Sequence, residues 1–330
     1  MDNFTSNLSR SNIIESSHRV KVLVTNINKK ILLNSGHTND LIYPRSAIKI
    51  FQAIPFMQSN AWSFYKLNSK IIALACSSHR GEPFHIKELQ KWIDRIKISE
   101  KMLKCGIHNP LNLKASEKLF RSNKYASQIH NNCSGKHLAM ITACILNKHN
   151  LNNYLDHYHP HQIEIRKIFQ KFTGKTIRKE NFGIDGCSAP QYCFKIQDVA
   201  EMLRNLIKSY KGQFNYNYEI KKLIDSILNH PKFIGGTDSL DSKIMQISNK
   251  NIFCKGGAEG VFLFIDLNKE IVGIIKVVDG NERVIPSIIF NIFKKLKIMN
   301  STELKKLMKY YDFNIVNHAK IKVGSIKTII

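Results

Sequence analysis

The sequence predicts a mixed α/β fold, in which strands near both ends of the chain form one sheet around a largely helical insert. Three observations carry this. β-Branched runs crowd the segment from 19 to 35 and return after Gly236. The long stretch between them places its apolar residues at helical spacing. No internal repeat and no low-complexity linker interrupts it. The chain therefore reads as a single domain over 1–330, with a sheet subdomain from about 1–82 and 233–330 and a helical subdomain of about 83–232.

In chain order, Val20-Lys21-Val22-Leu23-Val24 and Ile31-Leu32-Leu33 flank Asn26-Ile27-Asn28 and predict a hairpin. A loop at 36–40 leads to a helix announced by Pro44, which lacks the N–H that a first helical turn leaves orphaned. That helix carries Ser46 and Lys49 and runs to about Ser59. The apolar run Ile71-Ile72-Ala73-Leu74-Ala75 delivers Ser77, Ser78, His79, Arg80, Gly81 and Glu82, a polar loop after a buried segment, where catalytic groups tend to sit. From Pro83 to about Leu228 the pattern is helical, with Leu89, Trp92, Ile93 and Ile96 as one stripe. Two loops break it, at 131–137 and 183–190. Strand signals return in Val261–Ile265 and Ile271–Val278, a second hairpin across Asn268-Lys269. A helix from about Pro286 to Leu296 and a short strand near 321–323 end the chain.

Composition narrows the function classes. A hydrophobic fraction of 43% and a charged fraction of 23% are those of a globular protein. No apolar run approaches the roughly 20 residues of a membrane helix. Met1 to Ser6 lacks a basic stretch before an apolar core, so a cytosolic location is expected. The net charge of +25 first suggests nucleic acid. However, lysines such as Lys21, Lys70, Lys104, Lys175, Lys222 and Lys295 are dispersed among abundant Ile and Asn, the signature of AT-rich codons, and no nucleic-acid-binding motif accompanies them. Nucleic acid is not the expected partner. Seven cysteines, an odd number without an export signal, point to reduced thiols. Cys105, Cys144 and Cys193 read as core fillers, whereas Cys76, Cys133, Cys187 and Cys254 lie in or beside Gly- or Ser-rich turns.

Ser46 and Lys49 stand at i, i+3, where a helix stacks side chains one above the other. A lysine can take the proton of a serine hydroxyl once burial or a second cation lowers its own affinity for protons. Alone, Ser-x-x-Lys is a chance-level motif. The order of hairpin, Ser-x-x-Lys helix, helical insert, Lys255-Gly256-Gly257 strand and final helix resembles the layout of the penicillin-recognising serine hydrolases. Gly256 lacks the hydroxyl usual in that pattern.

The motifs resemble the rhizobial-type L-asparaginases more closely. The matching strings, in order, are Glu15 to Arg19, Tyr43 to Lys49, Ser78-His79, Asn131-Asn132-Cys133-Ser134-Gly135-Lys136-His137, Asp185 to Pro190, Lys255 to Gly260 and Lys276 to Gly280. Val20 stands where a glycine is usual. The resemblance implies a fold like that of the serine β-lactamases and glutaminases, and hydrolysis of L-asparagine to L-aspartate and ammonia. A β-lactamase, penicillin-binding or glutaminase activity on the same fold is the alternative. Ser46 would be the nucleophile with Lys49 as base, and Ser78 with Lys255 a second pair. Two adjacent lysines are not both cheaply protonated, so one would serve as base and the other would hold the substrate carboxylate or the oxyanion. Arg45, His79, Asp185 and Glu259 are the expected substrate contacts. The resemblance also implies a zinc ion (Zn2+) on Cys133, Lys136 and Cys187 with a fourth position for water, His137 standing behind it, and a homodimer.

Overall fold

Along Ile13–Asn26, His18, Val20 and Val22 are buried in alternation, as the two-residue period of a half-buried strand requires, and from Val22 to Thr25 both faces are covered. A computed structural model describes residues 4–330 and makes this the longest strand of one antiparallel sheet. Met1, Asp2 and Asn3, part of the segment read for an export signal, lie outside the described residues. The strands are β1 (Phe4–Arg10), β2 (Ile13–Asn26), β3 (Ile31–Ser35), β4 (Leu41–Ile42), β5 (Phe182–Ile184), β6 (Pro190–Tyr192), β7 (Phe194–Lys195), β8 (Ile252–Gly257), β9 (Val261–Asp266), β10 (Ile271–Val277), β11 (Asn314–Val316) and β12 (Lys322–Ile329).

The chain divides into two compact units. One, comprising 1–47, 194–207 and 243–330, holds the large sheet in the order β11-β12-β1-β2-β10-β9-β8, with β3 also paired to β2. The two ends of the chain meet in it, because β1 pairs with β12 from Thr5–Ile329 to Arg10–Gly324. Hydroxyls tie that seam to the last long helix. Thr328 Oγ1 lies 3.0 Å from Ser6 Oγ and 2.8 Å from Ser287 Oγ, all buried. Gly273 interrupts β10 because Phe264 on β9 occupies the space of its missing side chain, with ring atoms 2.1 Å from where a Cβ would stand. Phe264 packs edge-on to Phe293 of the helix Ile285–Lys295, their centroids 5.0 Å apart.

The second unit, 48–193 with 208–242, is helical apart from the β5–β6 hairpin. Leu89, Trp92, Ile93 and Ile96 are all buried on the helix Pro83–Ile96, as their spacing predicts. Trp92 Nε1 donates to Thr142 Oγ1 at 3.0 Å, fixing that helix to Ser134–Leu146. All seven cysteines are free and buried. Among the described residues no helix is long and apolar enough to cross a membrane.

Several elements differ from expectation. β1 was not predicted, because Phe4-Thr5-Ser6-Asn7-Leu8-Ser9-Arg10 inserts serines where apolar residues would signal a strand, although Phe4, Ser6 and Leu8 alternate inward. The final strand runs to Ile329, well past the residues expected. The helix begun after Pro44 opens as a 3-10 turn over Arg45–Ile48 and is interrupted at Ala53. The run before Ser77 belongs to the helix Ser69–Leu74, capped by Asn68 Oδ1 accepting from Ile71 N–H at 3.1 Å.

Two buried histidines tune acid stability. His161 is fully buried with neither ring nitrogen hydrogen-bonded. Burial pushes its pKa down to about 3, and that of His85 to about 4. In the unfolded chain both bind protons near pH 6.5. Their contribution is therefore complete above about pH 6.5 and declines as pH falls toward 3–4, by up to about 1.4 kcal/mol per pH unit for each. Denaturant midpoints should fall between pH 7 and pH 5. His161→Leu should reduce that fall, since it removes two buried, unpartnered nitrogens. An unchanged pH slope in the variant would count against this account.

Candidate active site

The turn that carries Ser46 is anchored in the sheet unit. β4 pairs with β7, and Ile196 and Gln197 donate backbone N–H groups to Asp40 and Thr38. Arg45 then adopts φ +53°, a left-handed conformation that is costly for a residue with a Cβ and is concentrated at functional positions. Ser46 follows it, half-buried. The end of β8 runs directly against this turn. A Cβ on Gly257 would stand 2.5 Å from Pro44 O and 3.2 Å from Ala47 N, so only glycine permits the approach. Lys255, two residues earlier on the same strand, projects from the same face as that missing side chain. Lys255 is buried and donates to Gly256 O at 2.8 Å. Glu259 is exposed with φ +64°, and its carboxylate abuts Gly280, where a Cβ would lie 2.7 Å from Oε2.

In the helical unit the chemistry gathers around Lys49, which has no solvent exposure. Its Nζ donates to Ser77 O at 2.5 Å, Ser78 Oγ at 3.0 Å and Cys133 Sγ at 3.2 Å. Ser78 lies just beyond the helix Ser69–Leu74, where its N–H donates to Ile234 O at 2.8 Å. Cys133 is the residue before the helix Ser134–Leu146, and its own N–H donates to Asn131 Oδ1 at 2.8 Å. Gly135 brings that helix against the preceding turn, for a Cβ there would be 2.2 Å from Leu74 O. Asn131 also donates through Nδ2 to Cys105 O. Sequence reading left it without a role, although it opens the matching string.

Lys136 Nζ donates to Cys187 Sγ at 3.0 Å, with both residues buried. Cys187 sits on the turn of the β5–β6 hairpin, behind Asp185, whose Oδ1 accepts from Gly186 N–H at 2.9 Å. The two thiols interact directly. The hydrogen bond from Cys133 and the Lys136 charge hold Cys187 well below the ordinary thiol range, against burial, while that bond and burial push Cys133 up. Burial works against the charge on Lys136, but the sulfurs of Cys187 and Cys133 outweigh it and raise its pKa. The cluster thus brings the Lys136 amine and the two sulfurs of Cys133 and Cys187 together, with Asp185 Oδ2 3.9 Å from Cys187 Sγ.

Among the described residues no three His, Cys, Asp or Glu side chains are grouped to hold a metal ion. The expected ligand set contains only two such residues, its third being Lys136. Its chemistry nevertheless fits a soft divalent ion: two sulfurs and an amine converge in a buried position. His137 stands beside them and interacts with Cys187, while its Nδ1 lies 2.6 Å from Tyr154 OH. A metal would take the place of the Lys136 proton.

His79 is completely buried, and both its ring nitrogens are engaged inside the protein. Gly81 N–H donates to Nδ1 at 3.2 Å, which leaves Nε2–H to donate to Ser134 Oγ at 2.8 Å. Burial, then His85 and Lys49, hold its pKa well below 6.5, so the ring is a neutral brace for the helix Ser134–Leu146.

The family model for L-asparaginase II matches residues 6–328. No curated protein matches the chain. Among solved structures it is similar to one titled "Crystal structure of putative beta-lactamase from Bacteroides dorei DSM 17855", with 12% identity and a TM-score of 0.41 over 83% of this chain and 93% of that one.

The close approaches give a direct test of the packing. Gly135→Ala should cost roughly 1–3 kcal/mol in chemical unfolding, because its Cβ meets backbone that cannot yield. Gly256→Ala should stay within about 0.5 kcal/mol of the parent, its nearest neighbour being a Phe262 ring atom 3.9 Å away.

Proposed function

This chain belongs to the L-asparaginase II family, and we propose that it hydrolyses L-asparagine through a serine nucleophile served by lysine. The observation that carries the reading is the buried Lys49 amine 3.0 Å from Ser78 Oγ and 3.2 Å from Cys133 Sγ. Ser46 is the nucleophile. Lys49 follows it by one helical turn and takes its proton as Oγ attacks the side-chain amide carbon. The tetrahedral adduct collapses as the leaving nitrogen is protonated, ammonia departs, and water then cleaves the seryl ester to release L-aspartate. Lys49 also donates to Ser78, the serine expected to pair with Lys255, so this contact links the two proposed Ser–Lys pairs. Lys255, the remaining lysine, supplies positive charge to the substrate carboxylate or the oxyanion. Arg45, Asp185 and Glu259 are the proposed substrate contacts, Asp185 for the α-amino group.

Cys133, Lys136 and Cys187 are the residues that would hold zinc. When bound, the ion would supply Lewis-acid polarisation or order the substrate-binding loops. The homodimer implied by the sequence resemblance belongs to the same proposal.

Purified protein should release ammonia from L-asparagine faster than from L-glutamine. Ser46→Ala should abolish that release, and Lys49→Met should lower it at least about 100-fold. Full activity in Ser46→Ala would remove it as nucleophile. Elemental analysis should find about one zinc per chain, absent from Cys133→Ser. A metal-free parent after gentle purification would remove the metal from the reading.

A further inference from the structure

Ser78 is held from behind by a loop outside every motif of the sequence resemblance. Its backbone N–H donates to Ile234 O at 2.8 Å. Ile234 belongs to the short helical turn Lys232–Gly235, which ends at Gly236 and Thr237. The turn is closed by Glu82, a carboxylate only 8% exposed. Glu82 Oε1 accepts from Thr237 N–H at 2.7 Å, and Oε2 accepts from Thr237 Oγ1 at 2.6 Å. Gly236 makes the clamp possible. It sits at φ +106°, and a Cβ there would be 2.6 Å from Glu82 Oε1. Beside it His85 accepts Glu82 N–H through Nδ1 at 3.2 Å, leaving Nε2–H to donate to Lys232 O at 3.0 Å. Both ends of the turn are therefore fastened to the segment that begins four residues after Ser78.

The geometry points to Glu82 and Thr237 as positioning residues for Ser78: their two-point clamp sets the Ile234 carbonyl that orients the Ser78 backbone, and thereby the hydroxyl that Lys49 contacts. The inference rests on the catalytic reading of Ser78 given above. The physical reason is one of tolerance. Lys49 has three acceptors in fixed directions, and a shift of Ser78 by even half an ångström weakens that bond and misplaces the hydroxyl. A carboxylate gripping both a backbone N–H and a hydroxyl resists rotation about either bond alone.

Thr237→Val removes the hydroxyl bond and keeps the shape, while Thr237→Ser keeps the hydroxyl. In hydrogen exchange, the Ser78 amide should lose protection at least about 10-fold in Thr237→Val and keep it in Thr237→Ser. With L-asparagine, Thr237→Val should lower kcat about 10-fold with KM within about twofold, and Thr237→Ser should restore kcat. Glu82→Gln is the second variant. It retains one acceptor oxygen, so its Ser78 protection and kcat should fall below the parent but less than in Thr237→Val. If Thr237→Val fails to fold, Glu82→Gln carries the test alone, unchanged values in it overturning the inference. Unchanged Ser78 protection in the variants, or Thr237→Ser falling as far as Thr237→Val, overturns the inference whatever the substrate proves to be. A parent inactive on asparagine that still shows the exchange pattern overturns the catalytic reading and leaves a purely structural clamp, which also overturns the positioning role.

Discussion

A buried lysine organises the helical unit. Lys49 has no contact with solvent, and its three donor directions end on Ser77 O, Ser78 Oγ and Cys133 Sγ. Leaving a buried donor without its acceptor costs about 1–3 kcal/mol, so the position of each acceptor matters to the lysine. Cys133 must be delivered by the start of the helix Ser134–Leu146, and Ser78 by the end of Ser69–Leu74. Those two helix ends approach closely enough only because residue 135 is glycine. The neutral His79 then braces the junction from beneath through Ser134.

The same logic governs the turn that bears Ser46. A glycine at 257 admits the end of β8 against Pro44 O, and Arg45 accepts a left-handed backbone beside it. In both places backbone meets backbone. Glycine is used where main chain approaches main chain, because main-chain atoms cannot rotate away as side chains can. Gly256, between Lys255 and Gly257, meets no backbone by contrast; the nearest atom to a Cβ there is a Phe262 ring carbon at 3.9 Å, an ordinary van der Waals contact.

Electrostatics distinguish the two lysines of the helical unit. Lys136 lies 3.0 Å from Cys187 Sγ, and the sulfurs beside it raise its pKa while its charge helps hold that of Cys187 down. Lys49 meets only dipolar or protonated acceptors: a carbonyl, a hydroxyl and a thiol whose pKa is raised. The two lysines therefore sit in different surroundings, Lys136 beside two sulfurs and Lys49 among a carbonyl, a hydroxyl and one sulfur.

Much of this was legible in order along the chain. Strands at both ends around a helical middle were readable from periodicity, since β-branched alternation and helical stripes are local signals. The cysteines in Gly- and Ser-rich turns were separable from the core fillers, and two of them, Cys133 and Cys187, do meet. β1 was not legible, because its inward serine is satisfied by Thr328, a partner 322 residues away. Nor was the pairing of Lys49. Its spacing from Ser46 is written in the sequence, but its bonds to Ser78 and Cys133 span 29 and 84 residues and exist only once three chain segments converge. The amino-acid order by itself determined which residues have reactive chemistry and which helices and strands carry them. The tertiary structure alone decided which of those groups share protons, because hydrogen bonds depend on sub-ångström approach and sequence separation says nothing about that.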